Sequence, residues 1–201
     1  MDVLPSAFTL VFQPTAFSMR IISGEWKGRR LPAGLPDGVR PTLDAARETI
    51  YNILSSRFDI EGAAVCDICA GSGALGLEAL SRGASHCTFV EKNPKVIRWL
   101  RATLSEICPD SVRYTIIHAD AFDFLSTVQR ESFHLIFTDP PYPLRIAGRI
   151  VGTIADTNAL AQDGMLIVER SNFESIISHS GLELINSRVF GETTVDFFSK
   201  Q

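Results

Sequence analysis

Nothing in this chain is long and apolar enough to cross a bilayer. The first 18 residues, "MDVLPSAFTLVFQPTAFS", come nearest, but Asp2, Pro5 and Pro14 interrupt them and no basic stretch precedes them as in a secretory leader. Patterned sequence starts at Met19, so residues 1–18 read as a loose extension or an upstream start. Cysteine is scarce, at four residues, and a chain of 201 residues has a core of its own, so a disulfide framework is not expected. Cys66 and Cys69 form a C-x-x-C, yet neither Cys87 nor Cys108 supplies a second pair at metal-ligand spacing. His86, His118, His134 and His179 show no such spacing either, so the expectation is no metal and a reducing cytoplasm. Positive charge is also lacking overall: 19 basic against 23 acidic residues give a net of −4, which excludes a polycation that coats nucleic acid. Repeats and low-complexity tracts are absent, and 45% hydrophobic with 21% charged residues excludes a disordered chain. One core, in a monomer, is the expectation.

What is present has a clear order. Residues 19–40, "MRIISGEWKGRRLPAGLPDGVR", concentrate five basic side chains (Arg20, Lys27, Arg29, Arg30, Arg40) against two acids (Glu25, Asp37), a local net of +3. Within them "RIISGEWKGRRL" alternates and is broken by Gly24 and Gly28, the pattern of a short β-hairpin; "LPAGLPDGV" reads as a linker. The stretch "RPTLDAARETIYNILSSRF" then predicts a helix capped by Thr42, with Ala46, Ile50, Leu54 and Phe58 along one face. The expected division is extension 1–18, hairpin and linker 19–42, and a main domain 43–201.

From residue 63 to 169 apolar runs alternate with helical patterns: "AAVCDIC", "HCTFVE", "VRYTIIH", "FHLIFTD" and "GMLIVE". Continuous apolar runs suit strands covered on both faces, hence a parallel sheet with crossover helices beginning near Gly73, at Asn93-Pro94, after Asp120 and after Pro143. The tail, "LELINSRVF" and "TTVDFFS" about Gly191, predicts an antiparallel edge hairpin. In such a doubly wound α/β domain ligands belong at the carboxyl ends of the strands.

Those ends carry the chemistry. Gly71, Gly73 and Gly76 form G-x-G-x-x-G between a strand and a helix, which lets backbone approach a nucleotide. Glu91 follows twenty residues after Gly71, where a carboxylate can accept both hydroxyls of a ribose. So far a nicotinamide dehydrogenase fits equally well. Two further ends separate the readings: "HADAF" puts Asp120 where it could accept from an adenine amine, and "FTDPPYP" stops a buried strand with an acid, two prolines and an aromatic. With Pro at about 5% of residues, an acid or Asn followed by Pro-Pro and an aromatic arises by chance in under about 1% of chains this long.

With these residues the chain resembles the class I S-adenosylmethionine methyltransferases that modify exocyclic or amide nitrogens, marked by Asp or Asn, Pro, Pro and an aromatic. More closely it resembles the bacterial 16S rRNA guanine-N2 methyltransferase family known as RsmD. The likeness runs over residues 19–200: the hairpin, the helix with Arg40, Pro41, Thr42, Asp44, Arg47, Glu48 and Asn52, the glycine-loop stretch "AGSGALGLEALSRGA", and "DPPY". Cys69 departs from it, standing where the family usually has an aromatic. The resemblance implies a Rossmann-like α/β fold, a seven-stranded, mostly parallel sheet with an antiparallel C-terminal hairpin plus a small N-terminal β-hairpin. For the S-adenosylmethionine site it implies Asp67, Ala70, Gly71, Ser72, Gly73, Glu91, Lys92, Asp120 and Ala121, with Arg40 and Thr42 closing the pocket. Asp139, Pro140, Pro141 and Tyr142 would be catalytic. Arg20, Trp26, Lys27, Arg29 and Arg30 would contact 16S rRNA or the small ribosomal subunit. The four-residue motif does not encode its acceptor, so DNA adenine and protein glutamine stay open, as does a non-catalytic RNA-binding subunit.

Overall fold

The structure, a computed structural model, describes residues 19–36, 44–177 and 179–200. Arg40, Pro41 and the expected cap Thr42, like the extension 1–18, lie outside these. Seven strands form one sheet: β1 (Ala64–Ile68), β2 (His86–Glu91), β3 (Tyr114–His118), β4 (Phe133–Thr138), β5 (Leu160–Ser171), β6 (Leu182–Phe190) and β7 (Thr193–Lys200). Their spatial order is β3-β2-β1-β4-β5-β7-β6, with β3 to β5 parallel and β7 antiparallel to both β5 and β6. This is the doubly wound arrangement, in which order reverses beside β1 and leaves a crevice at the carboxyl ends of β1 and β4.

The helices are α1 (Asp44–Ser55), α2 (Ala74–Ser81), α3 (Pro94–Ile107), α4 (Ala121–Thr127) and α5 (Ala147–Thr157). Asn93 caps α3 through its side chain with Pro94 in the first turn, and Asp120 caps α4 by accepting from Phe122 N–H at 3.0 Å. Around Pro143 the chain first makes a 3₁₀ turn, Tyr142–Leu144, and passes through Arg145 in the left-handed region before α5 begins at Ala147. Strand β5 is longer than "GMLIVE" suggested, running from Leu160 to Ser171.

Both faces of the sheet are covered, which is why the strands read as unbroken apolar runs. One cluster joins Val65, Phe89, Leu135 and Phe137 to Ile50, Tyr51 and Leu54 of α1, Leu77 and Leu80 of α2, and Leu100 and Leu104 of α3. The other joins Cys66, Ile68, Ile136 and Val168 to Leu125 of α4 and Ile150, Val151 and Ile154 of α5. No helix among the described residues is long and apolar enough to cross a membrane.

The N-terminal hairpin is short: Arg20 bridges Arg30 in antiparallel fashion and a turn closes it. Backbone bonds from Leu31 N–H to the Met19 carbonyl (2.9 Å), Ile21 N–H to the Arg29 carbonyl (2.9 Å) and Gly28 N–H to the Ile21 carbonyl (2.8 Å) flank that bridge, and the amides of the turn go to α2. The buried Glu78 carboxylate accepts from Ile22 N–H (2.7 Å), Ser23 N–H (2.9 Å) and Arg82 Nε (2.8 Å). Ser81 accepts from Glu25 N–H at its carbonyl (2.7 Å) and from Trp26 N–H at its hydroxyl (3.0 Å). Gly24 sits at φ +83°, and a Cβ there would lie 1.8 Å from the Ser81 carbonyl oxygen, so only glycine permits this approach.

Candidate active site

A cavity of about 410 Å³ opens at the carboxyl ends of β1, β2 and β4, and all but Gly73 of the predicted cofactor ligands among the described residues line it. Asp67, Ala70, Gly71, Ser72, Glu91, Lys92, Asp120, Ala121, Asp139, Pro140, Pro141 and Tyr142 all face it. That volume falls within the range of small-molecule sites, and apolar walls from Val90, Val96 and Ile146 surround the four carboxylates.

Asp67 ends β1 and is buried; its Oδ2 accepts from Gly76 N–H at 3.0 Å, bridging strand and helix. Burial raises its carboxyl to about 7, with the Gly76 amide opposing and nearby Glu91 adding to the rise. A cation brought beside it would favour the ionised form. The chain then turns through Cys69 at φ +61° and Gly71 at φ +53°. The Cys69 thiol is pushed up to about 12, chiefly by burial and then by Glu91, Asp139 and Asp67, and stays protonated at neutral pH.

The glycines divide their work in a way the motif alone does not reveal. Gly71 lines the cavity, and its N–H donates to Glu91 Oε2 at 3.1 Å. Gly73 is the left-handed N-cap of α2 and is not among the lining residues; a Cβ there would meet Leu100 Cδ1 at 2.6 Å. Gly73 thus shapes and packs the turn, while Ser72 and Ala74 on either side of it line the cavity. Gly76 lets α2 close on the sheet, with a Cβ 2.4 Å from Phe89 Cε1.

Glu91 closes β2, and Asn93 N–H donates to its Oε1 at 2.8 Å. One backbone donor on each oxygen fixes the carboxylate and leaves an acceptor site on each, a spacing suited to vicinal hydroxyls. Asp120 uses Oδ1 to cap α4, while its Oδ2 lies 3.8 Å from Lys92 Nζ; both side chains of that pair are substantially exposed, so it adds little stability.

Strand β4 ends at Thr138, and Asp139 to Tyr142 turn across the mouth of the cavity. The Tyr142 hydroxyl donates to Glu169 Oε1 at 2.6 Å on β5 and lies 3.0 Å from Thr193 Oγ1 on β7. Burial first, then Asp139 and Glu169, raise the phenol well above its ordinary range, so it is a fixed neutral donor rather than a base. Glu169 and Thr193 were not foreseen; they lie 27 and 51 residues from Tyr142, and no local pattern links them.

The predicted RNA contacts divide. Arg20, Lys27, Arg29 and Arg30 are exposed. Arg20 pairs with Asp44 (3.3 Å) and Arg29 donates to the Ile107 carbonyl (2.9 Å). Trp26 is corrected: at 5% exposure it belongs to the core, with the Arg113 guanidinium 5.0 Å from its ring centre, and offers no face to a base.

Residues 19–199 match the family described as conserved hypothetical protein 95. Ribosomal RNA small subunit methyltransferase D of Haemophilus influenzae is 33% identical over 86% of this chain and 89% of its own. The protein of that name from Escherichia coli K12 is 37% identical over 75% and 74% of the respective chains. A solved Escherichia coli structure described as a methyltransferase superposes with a TM-score of 0.78 at 29% identity, covering 92% of this chain and 98% of that one. With a family match over residues 19–199, relatives at 33–37% identity over most of the chain and a superposable solved methyltransferase, the chain belongs to the RsmD family of methyltransferases.

Proposed function

We propose that this protein transfers a methyl group from S-adenosylmethionine to the exocyclic N2 of a guanine in 16S rRNA, acting on the small ribosomal subunit in the cytoplasm. One observation carries the reading: the Asp139–Tyr142 turn shares a single cavity with three further carboxylates, each on a different strand end and each suited to one part of that cofactor. Buried Asp67 suits the ammonium of the methionine part, Glu91 the ribose hydroxyls and Asp120 the adenine amine. The names of the curated relatives support rRNA of the small subunit as the substrate class.

The cofactor supplies an electrophilic methyl on a sulfonium. What the protein must do is prepare a poor nucleophile, since the lone pair of a guanine amine is delocalised into its ring. Pro140 and Pro141 have no amide hydrogens, so the turn presents acceptors only: the Asp139 carboxylate and the Pro140 carbonyl. Two acceptors on one NH₂ favour a pyramidal nitrogen with its lone pair directed at the methyl carbon. As the N–C bond forms and the C–S bond breaks, Asp139 stabilises the positive nitrogen, whose proton leaves afterwards. Holding two reactants in line can account for about 7–11 kcal/mol of barrier. Tyr142, fixed by Glu169 and Thr193, offers its ring face to the extruded base.

The deciding experiment supplies radiolabelled methyl donor with small subunits, free 16S rRNA, DNA or protein extract, and maps the labelled atom. Label at guanine N2 in subunits or rRNA is expected; label on adenine or glutamine instead would overturn the acceptor. Calorimetric binding of NAD in place of S-adenosylmethionine would overturn the chemistry.

A further inference from the structure

Strand β5 extends past β4: Thr138 pairs with Val168, so Glu169, Arg170 and Ser171 run alongside the Asp139–Tyr142 turn. The segment that follows is held from several sides. Asn172 donates from its backbone to the Glu192 carbonyl (3.0 Å) and from its side chain to the Gly191 carbonyl (2.9 Å), while its Oδ1 accepts from Thr194 Oγ1 (2.6 Å). Glu174 Oε1 accepts from Gly148 N–H at the start of α5 (3.1 Å), and the Glu174 carbonyl accepts from Arg170, itself paired with buried Asp196 at 2.6 Å. On this anchored loop Phe173 is 79% exposed.

An isolated exposed apolar residue needs no explanation, but this one has company. Leu144, in the 3₁₀ turn after the catalytic prolines, is 49% exposed, and Ile177 is 78% exposed. Arg145 follows Leu144 and is exposed, as is Arg149, which is next to the Gly148 that holds Glu174 and lies over the Phe122 ring at 4.3 Å. Of the nearby acids, Glu174 is turned to a backbone donor and Glu192 remains on the surface. An exposed aromatic on a loop tied through Glu174 to the start of α5, where two arginines are exposed, matches how unpaired nucleic acid is held: a ring for a base, arginines for phosphates.

We propose that Phe173 is a stacking platform for an unpaired nucleobase of the substrate RNA next to the methylated one, with Arg145 and Arg149 holding its backbone. The inference rests on the rRNA methyltransferase reading and adds to it a second RNA contact, separate from the basic N-terminal turn. It accounts for an apolar ring left in water on a loop anchored on both sides of it by Asn172 and Glu174.

The test compares Phe173→Ala, Phe173→Leu and Phe173→Trp in methyl transfer to small subunits and to protein-free 16S rRNA. Alanine and leucine should both raise KM for RNA roughly 5- to 150-fold, the equivalent of a lost base stack of about 1–3 kcal/mol, while tryptophan rescues. Rescue by leucine would overturn stacking, because an apolar contact without a π-face would suffice. A defect confined to protein-bearing subunits would reassign the surface to a ribosomal protein and overturn the RNA contact; an unchanged KM would overturn both. If the wild type methylates neither RNA, the parent reading fails. The stack is then judged alone, by titrating Phe173→Trp fluorescence with an unstructured oligoribonucleotide: quenching supports it and none refutes it.

Discussion

At the scale of single residues, the site combines groups chosen for charge with groups chosen for lack of a proton. Asp139 is expected to act on the transition state rather than on cofactor binding. Asp139→Ala should therefore lower kcat by about 10²–10³ while calorimetric affinity for S-adenosylmethionine stays near wild type. Comparable losses in both would mean that the residue holds the cofactor instead. Tyr142 carries a different expectation, because its hydroxyl joins three strand ends. Tyr142→Phe keeps the ring but removes the donor to Glu169, and should reduce stability by about 1–2 kcal/mol, read as a lowered urea midpoint. An unaltered midpoint would show that the hydrogen bond is replaced by water at no cost. The sequence announced Asp139 and Tyr142 through an improbable tetrapeptide; it could not announce Glu169 or Thr193, ordinary residues in ordinary strands.

At the scale of elements, α2 does two jobs with its two ends. Its amino end follows the glycine turn that faces the cavity, and its carboxyl end, through Glu78 and Ser81, holds the basic N-terminal turn. Glu78 is fully buried, and its three donors make it a charge whose partners would be stranded without it. Glu78→Ala should cost about 3–5 kcal/mol and open the 20–30 segment to limited proteolysis before the rest of the chain unfolds. Cleavage no faster than in wild type would place the anchorage elsewhere, in Ser81 and the Trp26 core. Helix boundaries were legible wherever a cap or proline marked them, as at Asn93-Pro94 and Asp120. Alternation around Gly24 and Gly28 signalled the antiparallel pairing of Arg20 with Arg30, but it could not say that the turn docks on α2 through Glu78.

At the scale of the whole molecule, the buried carboxyl of Asp67 couples folding and ligand binding to pH. Its value of about 7 in the fold exceeds that of an unfolded aspartate near 4, so the folded state holds the proton more tightly across that window. Its contribution to stability is thus most favourable below about pH 4 and is lost as pH rises through about 7. Urea unfolding of wild type and Asp67→Asn at a series of pH values should show the difference between them changing over this interval; parallel curves would contradict it. Cofactor affinity should run the opposite way, strengthening as pH rises through about 7, because only the ionised carboxylate attracts an ammonium. The amino-acid sequence by itself determined the alternation of strands and helices, the glycine turn and the acids at strand ends, because each is written in neighbouring residues through periodicity, caps and proline. Only the tertiary structure decided that Trp26 is core, that Gly73 packs, that Glu78 clamps the N-terminal turn and that Glu169 and Thr193 aim Tyr142. Those outcomes depend on which distant surfaces bury one another, and burial is a property of the assembled sheet that no local stretch contains.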